Sequence, residues 1–290
     1  MKILVTGASG QLGLSFRDSA QCSVHEFIYS DINASDDVIS LDVTDHDAVR
    51  NVIQDNGISA IINCAAYTDV NGAESDSQTA DRINGTAAGV LAQAAYDTGA
   101  LLIHISTDYV FDGTSSKPYK ETDDTNPLNA YGRSKLMGEK AVEASGCRYM
   151  IIRTSWLYSN YGKNFYRNMI ELTADKPVVK VVSDQIGTPT WASDLADAVV
   201  AVLDEDMPFE SGVYHYSNEG VCSWYDFAKE ICMEAGHLCD VLPCKTEDYP
   251  SPAVRPSLSV LDKTKFKETF GIEIPHWRES LMSCMSFREE

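Results

Sequence analysis

Lys2-Ile-Leu-Val-Thr6, followed by Gly7-Ala-Ser-Gly10-Gln-Leu-Gly13, is the stretch on which the reading of the fold turns. A short apolar run with β-branched residues reads as a strand, and three glycines spaced by three make its turn into a helix. Lacking Cβ atoms, Gly7, Gly10 and Gly13 let the backbone approach a pyrophosphate. The helix N-terminus adds free N–H groups and the positive end of its dipole. Glycine-rich turns are common, but this one follows directly on a strand, where a dinucleotide would be bound.

Outward from that turn, strand and helix signals alternate through the first 155 residues. Strands are expected near Glu26–Ser30, Val38–Leu41, Ala60–Asn63, Leu101–Ser106 and Arg148–Thr154. Thr44 or Asp45 can cap a helix carrying Ala48, Val49, Val52 and Ile53 on one side. Further helices are expected over 77–98 and 130–144, with a long polar loop over 107–129. Repeated βα units predict an α/β fold with a doubly wound parallel sheet of Rossmann type. Beyond Trp156 the rhythm loosens. Helices over 165–174, 193–203, 223–235 and 277–285 with strands over 178–182 and 213–217 suit a smaller mixed α/β lobe at the sheet's carboxyl edge. The expected division is 1–155 for an NAD(P)-binding domain, with part of 190–220 returning to it, and 156–290 mostly for the substrate lobe.

Composition narrows the function classes. With 43 acidic against 23 basic residues the net charge is −20, the wrong sign for a non-specific nucleic-acid binder. No apolar run approaches a membrane span, and the polar-bounded first strand is no signal peptide. The eight cysteines lack C-x-x-C pairs and metal-ligand spacing, so reduced thiols in a cytoplasmic protein are expected.

Tyr131-Gly-Arg-Ser-Lys135 places a phenol and an ammonium four residues apart, on one helical face. A neighbouring cation favours phenolate and is expected to lower the tyrosine pKa, fitting it for proton exchange. An isolated Y-x-x-x-K pair is more often surface decoration; here it starts a helix after a long loop, downstream of the glycine turn. Ser106-Thr107-Asp108 sits just past the fifth strand at the same sheet edge, and hydroxyls there could donate to a substrate carbonyl oxygen.

Several segments together resemble the dTDP-4-dehydrorhamnose reductases, within the extended short-chain dehydrogenase/reductases. They are Thr6-Gly-Ala-Ser-Gly-Gln-Leu-Gly13, Asn63-Cys-Ala-Ala-Tyr-Thr-Asp-Val70 with Ala73-Glu-Ser75, and Ser106-Thr-Asp-Tyr-Val-Phe-Asp-Gly113. Pro118-Tyr-Lys-Glu-Thr-Asp123, Pro127-Leu-Asn-Ala-Tyr-Gly-Arg-Ser-Lys135, Arg153-Thr-Ser-Trp-Leu-Tyr158, Asp184-Gln-Ile-Gly-Thr-Pro-Thr190 and Arg255-Pro256 continue the resemblance along nearly the whole chain.

The resemblance implies NAD(P)H-dependent reduction of the C4 keto group of dTDP-4-dehydro-6-deoxy-L-mannose, giving dTDP-L-rhamnose for polysaccharide synthesis. Thr107, Tyr131 and Lys135 would be the catalytic hydroxyl, acid and ribose-binding lysine. Gly10, Gln11 and Leu12 would line the pyrophosphate, Asp31 the adenine ribose, and Asp42 and Val43 the adenine. Ala65, Ala66, Tyr67 and Thr68 would flank the middle of the cofactor, with Ile105 beneath the nicotinamide. Thr68, Val70, Asp108, Trp156 and Arg255 would meet the nucleotide sugar. Asp31, 18 residues after Gly13, can accept from a ribose 2′-OH and repel a 2′-phosphate, so NADH is slightly favoured over NADPH. Where some relatives carry a metal-bridging glutamate this chain has Ser15, and Trp191-Ala-Ser-Asp194 lacks one too. No metal is therefore expected, and the chain is read as a monomer or weak homodimer. The alternatives are another nucleotide-sugar epimerase or reductase, and a non-catalytic NAD(P)-binding regulatory subunit like that of methionine adenosyltransferase.

Overall fold

The structure is a computed structural model that describes residues 1–287. From the N-terminus run β1 (Lys2–Thr6), α1 (Gln11–Ser19), β2 (Glu26–Asp31), β3 (Val38–Ser40), α2 (His46–Asn56) and β4 (Ala60–Asn63). Next come α3 (Gly72–Ser75), α4 (Ser77–Ala80), a π-helical turn (Asp81–Thr86), α5 (Ala87–Thr98), β5 (Leu101–Thr107), α6 (Ala130–Ala144) and β6 (Arg148–Thr154). The second half holds β7 (Leu157–Tyr158), α7 (Phe165–Asp175), β8 (Val178–Val182), β9 (Ile186–Gly187), β10 (Thr190–Trp191), α8 (Ala192–Asp204) and β11 (Gly212–His215). It ends with β12 (Cys222–Ser223), α9 (Trp224–Glu234), β13 (Asp240–Cys244), α10 (Thr264–Phe270) and α11 (Trp277–Ser286).

Seven strands form one parallel sheet in the order β11-β6-β5-β4-β1-β2-β3. Both of its faces are covered, which is why its central strands are continuously apolar. Alternate side chains serve the two layers. Ile3 and Val5 join Leu12 and Phe16 of α1 and Leu195 and Val199 of α8 in one core. Leu4 joins Val49, Ile53, Leu91 and Val142 of α2, α5 and α6 in the other. The chain reverses direction through the sheet between β1 and β4, so the crevice for ligands opens at the carboxyl ends of those strands.

Three features depart from the sequence expectations. The helix expected over 77–98 is interrupted by the π-helical turn, and α3 precedes it. The strand over 178–182 pairs in parallel with β13, which periodicity does not announce. α10 is also unheralded: seven residues long, it sends Phe266 and Phe270 into the main core beside Tyr214 and Tyr216. All eight cysteines are free. Among the described residues no helix is long and apolar enough to cross a membrane.

α6 lies so close to the end of β5 that a Cβ on Gly132 would stand 2.2 Å from the Tyr109 carbonyl oxygen. Gly132→Ala should therefore lose about 1–3 kcal/mol of stability by forced displacement of the helix, read as a lower urea midpoint at unchanged slope. Parental stability in that variant would show that the close approach is dispensable.

Candidate active site

At the carboxyl ends of β1, β2, β4 and β5 lies a cleft of about 1540 Å³. Its floor is the glycine turn. Gly7 has φ +66°, and a Cβ there would stand 2.6 Å from the Ala65 nitrogen. One on Gly13 would stand 2.4 Å from the Gly7 oxygen, so side chains at either position would close the cradle. Gly10 at the α1 N-cap offers no capping side chain, leaving the first N–H groups of the helix open to a bound anion. Asp31 ends β2 and accepts from the Ser9 amide at 3.0 Å. Asp42 accepts from the Thr44 amide at 2.9 Å and hydroxyl at 2.7 Å, bonds that pull its carboxyl below the usual range. These features fit a dinucleotide: a backbone cradle for phosphates, a carboxylate where a ribose would lie, and apolar Leu41 and Val43 beyond.

A single amide holds the next wall. Asn84, in the π-helical turn, accepts from the Tyr67 amide at 2.8 Å. Its own NH₂ donates to the Tyr67 carbonyl at 3.0 Å and the Ser134 hydroxyl at 2.9 Å. The loop carrying Ala65, Ala66 and Thr68 is thereby fastened to α6. Such π-helical turns commonly mark functional sites.

The start of α6 is fixed from three directions. Asn129 caps it, accepting from the Gly132 amide at 2.8 Å, and donates to the Val254 carbonyl at 2.8 Å. Glu74 accepts from the Ala130 amide at 2.7 Å. Tyr131 thereby meets Thr107, whose hydroxyl donates to Asp108 at 3.1 Å and accepts from the Tyr109 amide at 3.2 Å. Burial pushes the Tyr131 phenol up to about 12, with the neighbouring Thr107 hydroxyl working the other way. The expectation that Lys135 lowers this pKa is not met. The ammonium turns instead to the Ile105 carbonyl, 2.5 Å away, and desolvation outweighs charge. Burial likewise lowers Lys135 to about 8, with Glu139 pulling the other way. Asp108 is raised to about 7 by burial, against hydrogen bonds from the Ser259 and Thr107 hydroxyls. A half-buried phenol that keeps its proton, beside a hydroxyl, is a proton donor waiting for a developing oxyanion.

On the far wall the Trp156 indole stacks on that of Trp224, 3.6 Å between centroids and 8° from parallel. Trp156 holds φ +49°, and a Cβ on Gly187 would stand 2.6 Å from its ring. Arg255 donates to Ser251 at 2.5 Å and to Asn71 at 3.2 Å, joining the segment after β13 to the turn beyond Val70.

The expected site residues thus converge: Gly7, Gly10, Gln11, Leu12, Gly13, Asp31, Asp42, Val43, Ala65, Ala66, Thr68, Val70, Ile105, Thr107, Asp108, Tyr131, Lys135, Trp156 and Arg255 all line the cleft. Tyr67 does not. Its ring packs among Ala73, Ala80, Ala130 and Tyr131, and its peptide is what Asn84 grips. Asn84 and Trp224 escaped the sequence reading. A lone asparagine inside an apolar helix, followed by Gly85, was the available sign of the first; Trp224 directly after the cap Ser223 gave none. Ser15 spends its hydroxyl on the Gln11 carbonyl, and Asp194 its carboxylate on Asn218 and Ser280. Among the described residues no group of three or more His, Cys, Asp or Glu is arranged to hold a metal ion.

The model of the RmlD substrate binding domain family matches residues 1–288. The chain is 42% identical to the dTDP-4-dehydrorhamnose reductase of Burkholderia thailandensis, over 98% of each protein. A dTDP-4-dehydrorhamnose reductase structure from Clostridium acetobutylicum superposes with a TM-score of 0.92 at 42% identity, covering 99% of both chains. Another from Bacillus anthracis, in complex with NADP, gives 0.90 at 36% identity over 98% of both.

The buried Asp108 carboxyl carries a sign that can be measured. Its native pKa of about 7 lies above the unfolded value of 3.8. The stabilisation linked to its proton is therefore complete below the unfolded value and is lost as pH rises through the native one. Asp108→Asn, which does not titrate, should gain on the parent between pH 5 and pH 8 by an amount on the order of 1–4 kcal/mol. Thermal denaturation without ligands reads the difference. A gap between the two proteins that stays constant with pH would contradict the burial argument.

Proposed function

The chain belongs to the RmlD substrate binding domain family and to the dTDP-4-dehydrorhamnose reductases, and on that premise we propose how it acts as an NAD(P)H-dependent oxidoreductase. The reaction is reduction of the C4 keto group of dTDP-4-dehydro-6-deoxy-L-mannose to dTDP-L-rhamnose. One observation supports the mechanism most directly: Thr107, Asp108, Tyr131 and Lys135 meet at the β5 end of the cleft that the glycine turn also lines.

Bound NAD(P)H supplies the hydride. Tyr131 gives its proton to the C4 oxygen as negative charge develops there. Its raised pKa keeps it protonated at neutral pH, the form that the reductive direction needs. Thr107, beside Tyr131 in the cleft, completes the pair of hydroxyls around that oxygen. Lys135 holds the nicotinamide ribose, Asp31 the adenine ribose, and Gly10, Gln11 and Leu12 the pyrophosphate. Thr68, Val70, Asp108 and Trp156 face the sugar, and Arg255 the nucleotide phosphates. Burial of the reacting groups keeps bulk water from competing for these bonds. In this reading residues 1–155, with part of 190–220, form the cofactor domain, and the rest of the chain mostly holds the substrate. NADH is slightly favoured. The enzyme works in the cytoplasm without metal, as a monomer or weak homodimer.

Tyr131→Phe should lower kcat by about 10²–10⁴-fold while leaving the cofactor Kd unchanged, because only the phenolic proton is lost. The assay is oxidation of NADH with dTDP-4-keto-6-deoxyglucose and a 3,5-epimerase. A variant keeping half its turnover refutes the assignment of the proton donor.

The same assay tests the coenzyme. If kcat/KM with NADPH exceeds that with NADH more than about tenfold, Asp31 does not read the ribose as proposed. Chelator-treated protein should retain full turnover, and activity restored only by Mg²⁺ would overturn the metal-free mechanism.

A further inference from the structure

Beneath the site lies an ion pair that the mechanism leaves unused. Glu139 stands one helical turn beyond Lys135 on α6 and is 1% exposed. Its carboxylate accepts from Arg153 Nε at 2.9 Å and Nη2 at 2.7 Å, and also from the Ser106 hydroxyl. Ser106 and Arg153 are direct neighbours in the β5–β6 ladder. Ser106 also sits between Ile105, whose carbonyl receives the Lys135 ammonium, and Thr107. One buried carboxylate thus ties α6 to both strands at the level of the reacting groups. A buried ion pair is poor value as a stabilising device, since apolar residues of similar volume usually serve as well or better. Its placement one turn from a buried ammonium suggests a different use.

We propose that Glu139 is a positioning residue for Lys135, anchored by Arg153 and Ser106, which holds the ammonium charged and aimed at the Ile105 carbonyl so that it can grip the cofactor. The inference rests on the reading of Lys135 as the cofactor-holding cation.

The surroundings of Lys135 leave this task to Glu139. From its own helix it feels the charge of Glu139, while Tyr131, four residues earlier, keeps its phenolic proton. From the end of β4 it meets Cys64, whose thiol burial raises far above neutral pH. From β5 it meets His104, held uncharged by burial and by Lys135 itself. From β6 comes the Arg153 cation, engaged through Glu139. Glu139 is therefore the anion set against the desolvation of Lys135. Without it, burial and an unpaired Arg153 would both drive the ammonium to release its proton near neutral pH.

The test measures NADH affinity without substrate, by nicotinamide fluorescence from pH 6 to pH 10, alongside the pH profile of kcat/KM. In the parent, affinity should weaken as pH rises through about 8, where Lys135 loses its proton. Glu139→Gln should move that limb to lower pH by about one unit. A double variant, Glu139→Gln with Arg153→Met, removes both members of the ion pair, so that Arg153 is not left unpaired in the interior, and serves if the single variant does not fold. Its limb should also lie below the parent's. A folded variant of either kind that keeps the parental limb overturns the proposal, whatever its kcat. Lys135→Met separates the two readings. Loss of the limb in that variant supports Lys135 as its source, and persistence of the limb overturns that assignment and the role of Glu139 with it.

Discussion

Helix α6 reaches the carboxyl end of β5 because Gly132 and Gly138 carry no side chains. A Cβ on Gly138 would stand 2.2 Å from the Asn84 carbonyl oxygen, as close as the one on Gly132 would stand to Tyr109. The helix is wedged between the strand end and the π-helical turn with no room to slide. From that seat Tyr131, Lys135 and Glu139, each four residues from the next, meet Thr107, the Ile105 carbonyl and Ser106 on β5. Four residues advance about 6 Å along a helix, so three successive turns each serve a neighbouring part of the strand end. Shifting the helix by a single residue would separate all three contacts at once.

The groups around that contact are largely buried. Thr107, Asp108 and Lys135 are each no more than 5% exposed. Low dielectric strengthens every charge and dipole there, and it also discourages any group from ionising alone. This explains why Tyr131, Asp108 and Lys135 all lean toward their neutral forms. A preorganised set of hydroxyls in such a place need not reorient when charge appears on a substrate oxygen, whereas water would have to.

Much of this was legible in the chain before its fold was known. The strand before Gly7, the spacing of Tyr131 and Lys135, and the strand-end position of Thr107 are local signals, and local signals survive in sequence. What stayed hidden depends on distance. The break in the helix after Ala80 is one extra residue per turn, too small to disturb an apolar pattern, and its reason lies in a peptide 17 residues away at Tyr67. The pairing of β13 with β8 joins segments about 60 residues apart. β13 contains Pro243, a residue that argues against a strand anywhere but at an edge. The expected effect of Lys135 on Tyr131 followed correctly from charge, but the depth of burial that reverses it is a property of the folded molecule.

Trp156 shows what such a site demands of its backbone. Its φ of +49° lies where a bulky residue is strained by an amount on the order of 1–3 kcal/mol. Glycine or asparagine would sit there more comfortably, yet neither could stack on Trp224. Truncating a buried, stacked indole costs about 3–5 kcal/mol, more than the strain it would relieve, so the packing of the two indoles holds the backbone in a conformation that Trp156 would not adopt alone.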